Sequence, residues 1–322
     1  MKIAMFGTGD FALPTFLALL RTSGREVVGL VTQPDRPQGR KGEIVPSLIS
    51  LAATVRAVPI FQPERVNDPT AIEAIRATGA DLFVTAAYGQ ILSATLLGVP
   101  RLGGINLHGS ILPKYRGAAP VARAIQDGQA ETGVTVIRMT PKIDAGGMIA
   151  IARTPIDPDE TADALELRLA AIGAPLIMDA IARIETGTAK AMAQSGGEVT
   201  RAPKLSKADS PIDWSQPAKK VHDHVRAMNS WPLAETFWHP AEVGKPPIRL
   251  IVHQTEIVAG EGRTGTVIEA TKDRLVVACG EGAVRLLTVQ VAGKKAMAAR
   301  EFLNGHRVFP GDLLGDEHPI SV

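Results

Sequence analysis

The chain has 322 residues, more than one hydrophobic core usually fills (growth stops near ~250–300 residues), so two domains are expected. Apolar residues make up 45% and charged residues 21%, an ordinary globular balance that excludes a disordered or fibrous chain. The net charge of +2, with no strong basic excess in either half, excludes charge alone as evidence of a nucleic-acid binder.

Along the chain, Lys2 to Phe6 reads as a strand that ends in Gly7, an apolar run too short for a signal peptide. Gly7-Thr8-Gly9-Asp10-Phe11-Ala12 then opens a helix with apolar residues at helical spacing to Leu20. This turn has the spacing of a dinucleotide fingerprint, which would suit an NAD-dependent oxidoreductase. The fingerprint also wants an acid at the end of the next strand. That strand, Val27 to Thr32, runs into Gln33-Pro34, and Asp35 lies beyond the proline. A tight strand-to-helix turn is therefore the preferred reading.

The stretch from Pro34 to Pro46 is a long loop rich in Pro, Gly and charge. Loops of that kind in compact domains are usually functional. Helical patterns follow at 48–57 and 71–77, and strands at 81–87, 105–108 and 132–139, with a helix expected over 117–126 between the last two. Strands alternating with helices argue a Rossmann-like, mostly parallel α/β sheet with ligands at the carboxyl ends of its strands. A helix over 162–184 closes this half, and 186–203 is rich in small and polar residues. Beyond it, 213–229 is helical. Short β-type runs at 234–238, 248–257, 265–269, 275–278 and 284–291 suggest a small all-β barrel.

The lone Cys279 falls at the end of one of these runs; it rules out a disulfide framework and fits a reducing, cytoplasmic setting. No window approaches the ~20 apolar residues of a membrane span. His222 and His224 make no convincing metal pair, because i and i+2 on a helix do not face each other.

The informative strand is Ile105-Asn106-Leu107-His108. Residues i and i+2 of a strand share a face, so Asn106 and His108 point the same way just before a glycine turn. A core strand of a parallel sheet is normally apolar on both faces. Spacing alone leaves two readings open, a satisfied buried hydrogen-bond pair or a site. Asp144, beside Gly146 and Gly147, reads by itself as a turn former.

Taken together the pieces are specific. Asn106-Leu107-His108-Gly109-Ser110-Ile111-Leu112-Pro113-Lys114-Tyr115-Arg116-Gly117, then Glu131-Thr132-Gly133-Val134-Thr135, then Asp144-Ala145-Gly146, resemble the folate-dependent formyltransferases. Thr32 to Arg40, Ala87-Tyr88-Gly89-Gln90-Ile91-Leu92, Lys204-Leu205-Ser206-Lys207 and Val225 to Pro232 are similar to the branch that formylates the methionine on initiator tRNA. The resemblance runs from residue 1 to about 310.

It implies a catalytic domain over 1–185, a linker over 186–205 and a tRNA-binding barrel of oligonucleotide-binding type over 206–311; the acidic segment over 312–322 reads by composition as a frayed tail. It assigns catalysis to Asn106, His108 and Asp144. The chemistry suits them: a base must take a proton as the amine attacks the formyl carbon, and an oxyanion donor is worth ~3–4 kcal/mol. It assigns the reduced folate to Ser110, Ile111, Leu112 and Pro113, with a cis Leu112–Pro113 bond, and the pterin to Tyr88, Gly89, Gln90 and Ile91. It assigns tRNA contacts to Arg36, Arg40, Lys41, Lys204 and Lys207. The implied donor is 10-formyltetrahydrofolate and the acceptor methionyl-initiator tRNA, with no metal, no membrane and a monomeric enzyme. A nucleotide-linked amino sugar is the rival acceptor. An RNA-binding module without activity is the non-enzymatic rival.

Overall fold

In this computed structural model residues 1–38, 43–194, 199–242 and 245–317 are described. The first half builds a sheet from Lys2–Gly7 (β1), Glu26–Val31 (β2), Ile60–Phe61 (β3), Leu82–Ala86 (β4), Gly104–His108 (β5), Glu131–Arg138 (β6) and Met148–Pro155 (β7). Its order is β7-β6-β5-β4-β1-β2-β3. The central strands β1 and β4 are buried along almost their whole length, which is why they read as unbroken apolar runs. Strands β1 to β5 pair in parallel, whereas β6 runs antiparallel to β5 and β7 antiparallel to β6.

The chain leaves β1 toward β2 on one side and returns as β4 on the other. The order thus reverses at the carboxyl ends of β1 and β4, where open α/β sheets place ligands. Helices Gly9–Arg21 (α1), Leu48–Val55 (α2), Pro69–Arg76 (α3) and Ala94–Leu97 (α4) connect these strands. Phe6, Phe83 and Tyr88 form an aromatic cluster, with the Tyr88 ring edge-on to Phe6 at 5.5 Å.

The Gly7 turn serves packing: a Cβ on Gly7 would come within 2.6 Å of Ala12 Cβ. The Thr8 hydroxyl accepts from Gln33 N and lies 3.3 Å from the Thr32 hydroxyl, at the place where a dinucleotide site wants an acid. In the Pro34–Pro46 stretch, Pro37–Gln38 pairs antiparallel with Glu43–Ile44, so part of the expected loop is a short hairpin.

The chain divides into two compact units. The first comprises 1–120, 131–155 and 164–204; the second comprises 121–130, 156–163 and 205–322. Pro120–Gln126 (α5) falls almost wholly in the second unit, and Ala162–Glu185 (α6) almost wholly in the first. The second unit's sheet contains Ala234–His239 (β8), Ile248–Val258 (β9), Val267–Thr271 (β10), Arg274–Ala278 (β11), Ala283–Val291 (β12) and Leu313–Gly315 (β13), in the order β10-β11-β12-β9-β8-β13. The pairings are antiparallel, as expected of a small curled β domain.

Two local expectations need correction. The helix expected from 213 starts later, as Ala218–Ala227 (α7), because Pro217 precedes it and Asp213 caps a turn through Ser215 and Gln216. The tail expected to fray from 312 is ordered as far as 317. Asp312 is buried and accepts from Trp238 Nε1, Ala241 N and Phe309 N, and β13 then pairs with β8. A last short helix, Ala299–Gly305 (α8), places Phe302 against Trp238.

Cys279 is buried, and burial pushes its thiol up to about 11, so it is a poor nucleophile. Trp214 is buried in the second unit with its Nε1 on Thr236, while Trp231 is about half exposed.

Within the second unit Arg123 Nη1 meets Asp209 Oδ1 at 2.7 Å. This bond, helped by Ser206, holds the Asp209 carboxyl below its ordinary range. A depressed carboxylate contributes stability that is complete above the unfolded value, about 3.9, and is lost as pH falls through the lower folded value. Asp209→Asn is therefore expected to lower Tm at pH 6, with the gap to wild type closing well below about pH 4. Melts at both pH values check this, and a gap unchanged with pH would refute it.

Candidate active site

The site is built at the carboxyl end of β5. Asn106 and His108 lie on one face there, opposite Ile137 and Thr135 of β6. Asp144 arrives from the loop between β6 and β7. Asn106 Nδ2 donates to Asp144 Oδ1 at 3.4 Å, and His108 Nδ1 lies 3.6 Å from Asp144 Oδ2. The two residues that strand alternation picked out and the aspartate that the resemblance added therefore form one cluster.

Backbone groups complete it. Gly117 N donates to Asp144 Oδ2 at 2.9 Å. His108 Nε2 donates to the Tyr115 carbonyl at 2.8 Å, since a carbonyl can only accept. The proton on Nε2 is thus fixed by its partner, and Nδ1, facing the carboxylate, is where a proton can be exchanged. His108 is buried and Asp144 nearly so, with 14% of its side chain accessible.

Asp144 has φ +46°, the left-handed region that costs a non-glycine residue ~1–3 kcal/mol and collects at functional sites. Gly146 lets the loop fold against β6: a Cβ there would lie 1.7 Å from the Arg138 carbonyl oxygen. Gly146→Ala is expected to displace the loop, lowering stability by about 1–3 kcal/mol and turnover more than tenfold. Turnover like wild type in that variant would mean that the loop position is immaterial.

Ser110 to Pro113 wrap the end of β5. Ser110 Oγ donates to the Lys114 carbonyl at 2.7 Å. Thr135 Oγ1 donates to the Ser110 carbonyl at 2.7 Å and accepts from Leu112 N at 3.2 Å. The Leu112–Pro113 peptide is cis, as the resemblance implied. Ser110, Leu112 and Pro113 are buried and Ile111 is half-buried.

Tyr88 to Ile91 follow β4 at the point where the strand order reverses. The Tyr88 side chain is buried in the aromatic cluster, and burial raises its phenol far above the ordinary value. Its carbonyl accepts from Gln33 Nε2 at 2.9 Å. Gln90 Oε1 accepts from Val66 N at 2.9 Å, and Ile91 is exposed. The segment thus offers a ligand Gly89, main chain and Ile91 rather than the phenol.

The basic residues are more dispersed. Arg36 pairs with Glu64 at 2.6 Å on the surface; Arg40 and Lys41 lie outside the described residues. Lys204 is exposed, and Lys207 Nζ donates to the Pro232 carbonyl at 3.0 Å. His222 directs its ring nitrogens to Thr255 Oγ1 and the Pro158 carbonyl, so it is occupied by structure.

Residues 1–181 match the family model described as formyl transferase, and 204–307 match that of the formyl transferase C-terminal domain. Methionyl-tRNA formyltransferases from Magnetococcus marinus and Methylobacterium sp. are each 41% identical to the chain, over 98% of its length and 98% and 99% of theirs. The chain belongs to the formyl transferase family, on its methionyl-tRNA branch.

Among solved structures, the sugar 3N-formyl transferase WlaRD, determined with dTDP and 5-N-formyl-THF, superimposes with a TM-score of 0.64 at 19% identity, over 92% of this chain and 99% of that one. HypX from Aquifex aeolicus in complex with tetrahydrofolic acid gives 0.59 at 15% identity, over 94% of this chain and 46% of its own. At such identities the likeness is one of fold.

Proposed function

We propose that the chain transfers a formyl group from 10-formyltetrahydrofolate to the α-amino group of methionyl-initiator tRNA. The observation that carries this is the convergence of Asn106, His108 and Asp144 at a strand end, in a chain whose full-length relatives at 41% identity carry that activity in their names.

The chemistry follows from the groups present. The amine, with an ordinary pKa near ~7.7–8, attacks the formyl carbon and forms a new C–N bond. The formyl oxygen takes the electron pair and becomes an oxyanion, to which Asn106 Nδ2 can donate, joined by His108 when its Nδ1 carries a proton. Asp144, directly or through His108 or a water, takes the proton that the amine sheds. Collapse of the oxyanion breaks the bond to the folate N10, and a proton delivered there frees tetrahydrofolate. Ser110 to Pro113 and the turn from Tyr88 to Ile91 would hold the folate, with its formyl group toward Asn106.

We assign the tRNA to Arg36, Arg40, Lys41, Lys204 and Lys207 together with the barrel over 206–311, the catalytic domain being 1–185 and 186–205 joining the two. Phosphate contacts release counterions, so tRNA binding would weaken steeply with salt. Replacing Lys207 by Ala is expected to raise the KM for tRNA several-fold and to flatten its salt slope by about one unit, with kcat little changed. An unchanged salt slope would remove Lys207 from the tRNA surface.

The deciding assay offers 10-formyltetrahydrofolate with methionyl-initiator tRNA and, separately, a nucleotide-linked amino sugar. Formylation of the tRNA alone supports the reading. Formylation of the sugar alone keeps the catalytic trio and overturns the acceptor.

A further inference from the structure

The stretch between 186 and 205 carries a side chain bonded to the active-site loop. Gln194 Nε2 donates to the carbonyl oxygens of Asp144 at 2.7 Å and of Gly146 at 2.8 Å. Its Oε1 accepts from Arg116 Nε at 3.0 Å and Nη2 at 2.6 Å. Both donors and both acceptor positions of the amide are thus used. A carboxylate could keep the arginine but would have nothing to donate to the two carbonyls. An aliphatic side chain would satisfy neither.

The flanking main chain is tied to the same places. Met192 and Met148 exchange two hydrogen bonds at 2.8 Å. Thr200 Oγ1 accepts from Tyr115 N at 2.8 Å, and the Thr200 carbonyl accepts from Arg116 N at 3.0 Å. Arg201–Ala202 then pairs in parallel with Arg116–Gly117. One end of the stretch therefore holds the loop that bears Asp144. The other holds residues 115–117, whose Tyr115 carbonyl receives His108 and whose Gly117 N receives Asp144. A left-handed aspartate persists only where its surroundings over-determine it, and the Gln194 amide grips the carbonyl of that very residue.

We propose that Gln194 is a positioning residue for formyl transfer, clamping the Asp144–Gly146 backbone to Arg116 so that the Asp144 carboxylate is held beside Asn106 and His108. The inference rests on the catalytic reading above and adds a residue to it. Gln194 itself touches neither substrate nor the reacting atoms.

The test is steady-state formyl transfer by Q194A and Q194E, each made in the wild-type chain and in a D144N background. Small displacements of a reacting group cost up to ~10²-fold, so kcat is expected to fall about 10–100-fold in both single variants, with both KM values within about twofold. Q194E is the more telling, because it keeps a partner for Arg116 while its two donor bonds to the loop carbonyls become repulsive contacts. In D144N the group being positioned has lost its function, so either Gln194 change should add less than about twofold. Q194A and Q194E turning over within about twofold of wild type would overturn the proposal. So would an equal loss in both backgrounds, the mark of a general structural role. Where Q194A does not fold, the Q194E pair decides alone. A wild-type chain that formylates neither tRNA nor sugar defeats the catalytic reading and this inference with it; an active wild type with indifferent Gln194 variants defeats only the inference.

Discussion

Asp144→Asn is expected to lower kcat by about 10²–10⁴-fold while the KM for the folate stays within about threefold. The substitution is close to isosteric, and asparagine tolerates the left-handed conformation that residue 144 adopts. Its amide oxygen still accepts from Gly117 N, so the loop keeps its place. What disappears is the negative charge beside His108, the capacity to take a proton from the attacking amine, and the Oδ1 acceptor of Asn106 Nδ2. Asp144→Ala should lose comparable turnover but also some stability, because alanine is strained at φ +46° and leaves Gly117 N without its acceptor. Comparing the two separates chemistry from architecture: similar kcat with different Tm is the expected pattern. If Asp144→Asn turned over like wild type, the acceptor of the amine proton would have to be sought elsewhere, with His108 the first alternative.

How much of this was legible in the sequence depends on the range over which each residue acts. Asn106 and His108 stood out because polar side chains on one face of an otherwise apolar strand violate the pattern of a buried parallel sheet. Asp144 was indistinguishable from a turn former until the motif joined it to that strand. Its bonds to Asn106 and Gly117 span 38 and 27 residues, beyond any local periodicity. Gln194 was invisible for the same reason, since its partners lie 48, 50 and 78 residues away. A lone glutamine among small polar residues carries no local signature. Tyr88 was placed near the pterin by resemblance alone, and only the fold shows that its ring packs against Phe6. The antiparallel turn of β6 and β7 was also hidden, because buried edge and central strands share the same β-branched composition. Asp312 shows a further limit, where an acidic terminal segment is ordered because its carboxylate caps Trp238 and two backbone amides.

Asn106→Ala should give the complementary result, a loss of about 10²–10³ in kcat with folate affinity preserved, since removing one oxyanion donor costs that much in acyl transfer. The structure explains why the donor is aimed. Asn106 is half-buried in the middle of β5, and Asp144 Oδ1 accepts from Nδ2, which fixes the amide with its nitrogen toward the loop. The 3.4 Å separation is long for a hydrogen bond, so the amide is oriented without being fully engaged, and an incoming oxyanion can compete for the same proton. Asn106→Asp tests the sign of the charge: a carboxylate there would repel both the oxyanion and Asp144, and turnover should fall below that of the alanine variant. The double variant of Asn106→Ala with Asp144→Asn should lose less than the product of the single losses, because the two groups act on one tetrahedral centre. Full multiplicativity would mean that they serve separate steps, with Asn106 confined to binding the formyl group before attack.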